Sequence, residues 1–252
     1  MIRTFRWKLL TWICLIVPIG VHAQLEKVEA FYQNMAEEKD GQPVTLSFVQ
    51  PQDSLVEDYS QLYQIVLLRH GEPALDKTGK RKRSGAVQYV HDYDMVGIYP
   101  PAFIPLTLQD DELTFIYTSS LNRSISTAQK VFNLEELHRP KSLFREFERK
   151  VFAFPNIKLP LKWWLIGSRV MWLMGFNNRG IEGFGAAKRR AKIATRFLEQ
   201  DAYWNGKTLL VSHGLLNHYL FKYLEKRGWT VVYDGGKGYL SQKMLVKYGK
   251  DN

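Results

Sequence analysis

The chain has 252 residues, with 35 Lys and Arg against 25 Asp and Glu, a formal net charge of +10. That length suits one large domain with a buried core, and the lack of internal repeats or low-complexity tracts excludes solenoid, fibrous and disordered classes. The positive balance favours anionic partners: phosphate esters, acidic glycans, lipid headgroups or a membrane surface. It would also suit nucleic acid, but no nucleic-acid-binding motif is present.

The first element is a basic start, Arg3, Arg6 and Lys8, followed by an apolar run from Leu9 to Val21 that Pro18 and Gly20 interrupt. Val21-His22-Ala23 then reads as a small-x-small cleavage site, so residues 1–23 have the layout of a secretory signal peptide. The run is short for a membrane span, which needs about 20 apolar residues. Cys14 is the single cysteine; Trp12 and Ile13 precede it, where lipid attachment would require small residues. Cleavage after Ala23 would leave no thiol, hence no disulfide and no cysteine-ligated metal. The expected location is outside the cytoplasm, periplasmic or extracellular.

Residues 24–63 are expected to be an extension of the main domain, being too few to bury a core of their own. A short helix is predicted over Leu25–Tyr32, a break at Asp40–Pro43 and a strand over Val44–Val49. The main domain is expected over residues 64–252. Its predicted strands are Gln64–Leu68, Phe115–Thr118, Ser142–Phe147, Thr208–Ser212 and Leu240–Lys247. Helices are predicted over Ser119–Phe132, Gly183–Gln200 and Leu215–Lys226, the last ended by Gly228. Strands alternating with helices imply an α/β fold, a three-layer α/β/α sandwich around a mostly parallel sheet.

Three segments carry chemistry. The apolar run Ile65–Leu68 leads into Arg69-His70-Gly71-Glu72, and Leu209–Ser212 leads into His213-Gly214. Both runs read as central strands covered on two faces, and ligands of open α/β sheets bind beyond the carboxyl ends of the strands. Between them, Ser119-Ser120-Leu121-Asn122-Arg123 opens a helix. The helix N-terminus and the Arg123 guanidinium would both attract an anion. Two imidazoles and two guanidiniums around one point suit a phosphoryl group. His70 is the candidate nucleophile, because a neutral imidazole attacks with one ring nitrogen while the other holds its proton on an acceptor. Arg69 and Arg123 are the candidate clamps on its oxygens.

Leu-Arg-His-Gly-Glu-Pro, Ser-Ser-Leu-Asn-Arg-(x)3-Thr-Ala and Val-Ser-His-Gly, in that order over roughly Gln64 to Tyr248, resemble the histidine phosphatase superfamily, the phosphoglycerate-mutase-like fold. The resemblance implies a phosphohistidine on His70, with Arg69, Arg123 and His213 binding the phosphoryl group and with no metal or cofactor. Gly214 stands where one branch of the superfamily has an acidic residue, which places this chain nearer the mutase and small-phosphatase branch. The proton donor is then expected in Leu143-Phe144-Arg145-Glu146-Phe147-Glu148, with Glu146 the candidate and Glu148 its rival. In an extended segment both carboxylates point the same way, so periodicity does not separate them.

The chain departs from the superfamily pattern. Pro73 replaces the usual Ser or Thr, and Asp76 falls where an Asn is usual, with the expectation of a carboxylate repelling a second anion near the pocket. The Leu-Thr-x-x-Gly-x-x-Gln-Ala stretch is not recognisable. These departures count against a mutase on bisphosphorylated sugars more than against a phosphomonoesterase. A non-catalytic binder of phosphorylated ligands and a phosphosugar mutase are the alternatives. Two further segments bear on the substrate, an anionic phosphorylated small molecule, glycan or lipid headgroup. Lys77–Arg83 is a basic run, either a solvated loop or an attractor for a polyanion. Leu161–Phe176 holds Trp163, Trp164, Trp172, Met171 and Met174, and reads as core packing, a lid or an interfacial helix.

Overall fold

The two apolar segments that end in His-Gly form adjacent parallel strands at the centre of one sheet. The computed structural model describes residues 19–37, 42–108, 116–133, 138–153 and 156–249. Its elements are α1 (Ile19–Glu37), β1 (Leu62–Arg69), β2 (Lys80–Arg81), α2 (Arg83–Met95), β3 (Ile116–Ser119), α3 (Asn122–Phe132) and β4 (His138–Lys141), followed by β5 (Leu159–Pro160), α4 (Leu161–Leu173), α5 (Phe184–Asn205), β6 (Lys207–Ser212), α6 (Gly214–Glu225), β7 (Thr230–Asp234) and β8 (Gln242–Tyr248). The main sheet has the order β4-β3-β6-β1-β8-β7. Its first four strands are parallel, and β8 and β7 join antiparallel.

β1 and β6 run in register from Gln64 opposite Lys207 to Arg69 opposite Ser212. Side chains alternate along them. Ile65, Leu67 and Leu210 face a core layer closed by α5 and α6. Val66, Leu68, Leu209 and Val211 face a second core layer that takes in Val28 and Tyr32 of α1, the 44–49 segment and Ala128 of α3. Burial of both pleat faces explains the unbroken apolar runs, and the outcome is the three-layer α/β/α sandwich.

Local differences from the sequence reading have physical causes. Val44–Val49 is not a strand: it makes one isolated bridge, Leu46 with Leu106. The buried Gln64 amide takes the place of a ladder there, accepting from the Val49 N–H and donating to its carbonyl, both at 2.9 Å. The strand predicted over Ser142–Phe147 is a single 3-10 turn, Ser142–Phe144, with the strand β4 before it instead. Pro140 is tolerated in β4 because that strand is a sheet edge. α3 opens at Asn122 rather than Ser119, since Ser119 ends β3. α2 and β7 were not predicted. α2 buries only Ala86 and Tyr89, too few for an apolar stripe, whereas the β-branched run after Gly228 was a readable signal for β7. α1 is longer than the predicted helix and runs through the Ala23–Gln24 boundary; residues 1–18 and 38–41, which include Asp40 and Gly41 of the predicted break, lie outside the described residues.

Candidate active site

The matched register of β1 and β6 delivers His70 and His213 to one spot. The backbone N–H of His70 donates to the Ser212 carbonyl at 2.9 Å. The imidazole rings stand edge to face with centroids 5.1 Å apart. His70 lines a cavity of about 670 Å³ together with Arg69, Arg123, Glu146 and Glu148. His213 is packed behind His70, itself sealed from solvent. Nδ1 of His70 lies 2.7 Å from the Gly71 carbonyl oxygen. A carbonyl only accepts, so that nitrogen carries the proton of the neutral ring and Nε2 keeps its lone pair. A Cβ at Gly71 would stand 2.7 Å from Cδ1 of Ile98, so that side chain would have to shift.

α3 is tied to this turn by Thr127, whose Oγ1 accepts from the Gly71 N–H at 2.9 Å and donates to the Arg123 carbonyl at 2.6 Å. Arg123, in the first turn of α3, is buried. Its Nη1 donates to the Tyr93 carbonyl at 2.6 Å and to Asp94 Oδ1 at 3.2 Å, and its guanidinium lies 4.3 Å from the centre of the Tyr93 ring. Arg69 donates from Nη1 to the Lys237 carbonyl and stacks 4.5 Å from the Tyr239 ring centre. Three buried nitrogens in this cluster have no hydrogen-bond partner among the described residues: Nε of Arg69, Nε of Arg123 and Nδ1 of His213. Buried polar atoms are almost always satisfied. Of the three residues, Arg69 and Arg123 reach the cavity wall, where a guanidinium suits an oxyanion, whereas His213 does not line the cavity.

Burial holds the His70 pKa well below the ordinary histidine value, helped by Arg123 and Arg69 and opposed by the Gly71 carbonyl. His213 is depressed in the same way, by burial first, then Arg123, His70, Arg69 and Arg190. Both rings are therefore neutral at neutral pH, the state a nitrogen nucleophile needs.

The two glutamates are separated by what holds them. Glu146 sits at the start of α6, immediately beyond His213-Gly214, where its carboxylate accepts from the N–H groups of Leu215 at 3.3 Å and Leu216 at 3.2 Å. Glu148 is turned to the approach to α5 and accepts from the Glu182 N–H at 2.6 Å. The loop carrying both is anchored by Arg190, which donates to the carbonyls of Leu143 and Arg145 and pairs with Glu182.

Asp76 corrects an expectation. It is exposed, accepts from the backbone and hydroxyl of Thr78 at 2.8 and 3.0 Å, and is absent from the cavity wall. Sequence reasoning missed Tyr93, Asp94 and Tyr239. The first two belong to the unpredicted α2, and Tyr239 lies in the loop before β8, far from any motif. Thr127 was visible inside the second motif, but its bridging role was not.

The family model for the histidine phosphatase superfamily (branch 1) matches residues 65–234. The chain belongs to the histidine phosphatase superfamily. The match runs from β1 to the end of β7 and contains all three motifs of the superfamily quoted above. No curated protein matches the chain. Among solved structures, it is similar to a mycobacterial glucosyl-3-phosphoglycerate phosphatase, with 19% identity over 73% of this chain and 90% of that one, TM-score 0.43. It is similar to a phosphoglycerate mutase from Bacillus anthracis, with 15% identity over 76% and 91%, TM-score 0.45. A phosphoserine phosphatase from Entamoeba histolytica shares 15% identity over 72% and 89%, TM-score 0.38.

Proposed function

We propose that the protein is an exported phosphomonoesterase that works through a phosphohistidine on His70. The observation that carries this reading is the neutral His70 ring, pinned through Nδ1 to Gly71, on one cavity wall with the guanidiniums of Arg69 and Arg123. Nε2 of His70 attacks phosphorus, the P–O ester bond breaks, and Glu146 gives its proton to the leaving alkoxide. Water then attacks the phosphohistidine, Glu146 takes its proton, and the P–N bond breaks to release phosphate and restore the imidazole. Arg69 and Arg123, which line the cavity with His70, hold the oxygens through both steps, and His213 backs the His70 ring. These groups supply the charge stabilisation, so no metal enters the scheme. The substrate is an anionic phosphorylated small molecule, glycan or lipid headgroup, which the excess of Arg and Lys on the cavity wall favours.

Export rests on the composition of residues 1–23, with 24–63 the extension and 64–252 the phosphatase domain of the mature protein. N-terminal sequencing of the exported protein tests the cleavage point. Turnover of an aryl phosphate in the presence of chelator, with an acid-labile and base-stable phosphate trapped on His70, tests the chemistry. Full activity in His70→Ala would refute it. Tight phosphate binding without turnover would select a binding protein, a reading that the outward-facing Asp76 no longer favours. Transfer between positions of a phosphosugar without phosphate release would select a mutase.

A further inference from the structure

The outer face of α4 is apolar and uncovered. Leu161, Trp164, Ser168 and Trp172 are buried and hold the helix to the domain. The indole N–H groups of Trp164 and Trp172 donate to the carbonyls of Arg81 at 2.8 Å and Glu182 at 2.7 Å. On the opposite side, Trp163 is 54% exposed, Ile166 51%, Val170 47% and Leu173 42%. Their spacing of three and four residues draws one stripe along the helix. Met174 and Phe176 extend it beyond the C-terminus at 62% and 70%, and Ile157 precedes it at 50%. Contiguous exposure of this size marks an interaction surface rather than scattered surface residues.

The charges around the stripe have one sign. No Asp or Glu occurs between Arg149 and Ile181, while Lys150, Lys158, Lys162 and Arg179 are exposed along that stretch. The fold adds the basic run from the other side of the first motif. β2 pairs antiparallel with β5, Lys80 opposite Pro160 and Arg81 opposite Leu159, and the Leu161 N–H donates to the Gly79 carbonyl at 3.1 Å. Exposed Lys80 and Lys82 therefore flank the start of α4. The two carboxylates of that loop are engaged: Glu72 pairs with Lys77, and Asp76 holds Thr78. Lys162 lies over the ring of Trp163, an arrangement in which an amphipathic ring and an ammonium share one boundary.

We propose that α4 and β2 seat the protein on an anionic lipid bilayer, with α4 in the plane of the interface. Thirteen residues make a helix about 20 Å long, too short to span a hydrocarbon core of about 30 Å. Apolar residues facing the acyl chains and lysines facing the headgroups are the signature of an interfacial helix. A second copy of the chain fits less well, because a two-fold contact through this face would oppose Lys158, Lys162 and Arg179 to themselves. Arg169, on the same helix, lines the catalytic cavity, so docking brings the cavity to the membrane surface.

The test uses the full chain with vesicles of phosphatidylcholine alone or with about 30% phosphatidylglycerol. Co-sedimentation is expected to favour the anionic vesicles, and the triple variant Ile166→Ser, Val170→Ser, Phe176→Ser should partition at least about tenfold less. Its circular dichroism melt and aryl phosphate turnover should match the parent, since none of these residues touches the site. Brominated lipids should quench part of the parent's tryptophan emission, and Trp163→Phe should lose that part. Equal partitioning of parent and triple variant, or quenching unchanged in Trp163→Phe, would overturn the proposal. So would a stable dimer that the triple variant converts to monomer.

Discussion

At the scale of single residues, the proposed reaction assigns nucleophile, clamps and acid to side chains held by different partners. Removing His70 with His70→Ala should cut kcat by more than about 1,000-fold, because the neighbouring imidazole, His213, is sealed from solvent and does not line the cavity. Glu146→Gln should cost about 100- to 10,000-fold on an alkyl phosphate and much less on a nitrophenyl phosphate, whose leaving oxygen needs no proton. Glu148→Gln should change both substrates little, since its carboxylate serves the Glu182 N–H. Comparing kcat for the two leaving groups across the two variants distinguishes the acid from its neighbour. The buried imidazoles also set a pH dependence of folding. Their folded pKa values lie below the ordinary histidine value, so below about pH 6.5 the unfolded chain binds protons that the native state does not. Stability is full above that pH and falls as pH drops through it, by about 1 kcal/mol per pH unit for each ring. Melting temperatures between pH 8 and 5.5 should show this slope, and the double variant His70→Asn, His213→Asn should flatten it.

At the scale of elements, the candidate site depends on how β1, β6 and α3 are locked together. The β1–β6 register sets the separation of the histidines, and Thr127 fastens α3 to the Gly71 turn. Thr127→Val keeps the shape and removes the bridge, leaving the Gly71 N–H unpaired, at a cost of about 1–3 kcal/mol in denaturant unfolding. Gly71→Ala should cost a similar amount by driving Cβ into Cδ1 of Ile98. The added change Ile98→Val deletes that atom and should recover most of the loss; no recovery in the double variant would show that the turn itself rejects a side chain. Elements with strong periodic or motif signals were legible: β1, β6, α3, α5 and α6 follow the predicted segments to within a few residues. The 142–147 segment was misread because Phe144 and Phe147 are buried from a turn and a loop, and burial alone mimics a strand.

At the scale of the whole molecule, the segment before the first motif is part of the core. Val28, Tyr32, Leu46 and Phe48 are fully buried in the layer that covers Val66, Leu68, Leu209 and Val211. A chain beginning at Leu62 would expose that sheet face, and it should be recovered as aggregate rather than as folded monomer in size-exclusion chromatography. A chain beginning at Gln24 keeps Val28 and Tyr32, so the same experiment on it should give a folded, active monomer. The sequence by itself determined the fold class, the strands that carry the histidines, and the proximity of His70 to His213 at their ends. Local apolar runs and short motifs encode these, because a buried strand and its exit turn restrict their own residues. Only the tertiary structure decided which glutamate stands at the start of α6, that Asp76 faces away, that Tyr93, Asp94 and Tyr239 brace the arginines, and that the basic run lies beside α4. Those outcomes depend on contacts between segments far apart in the chain, and no local pattern specifies which distant backbone a side chain will meet.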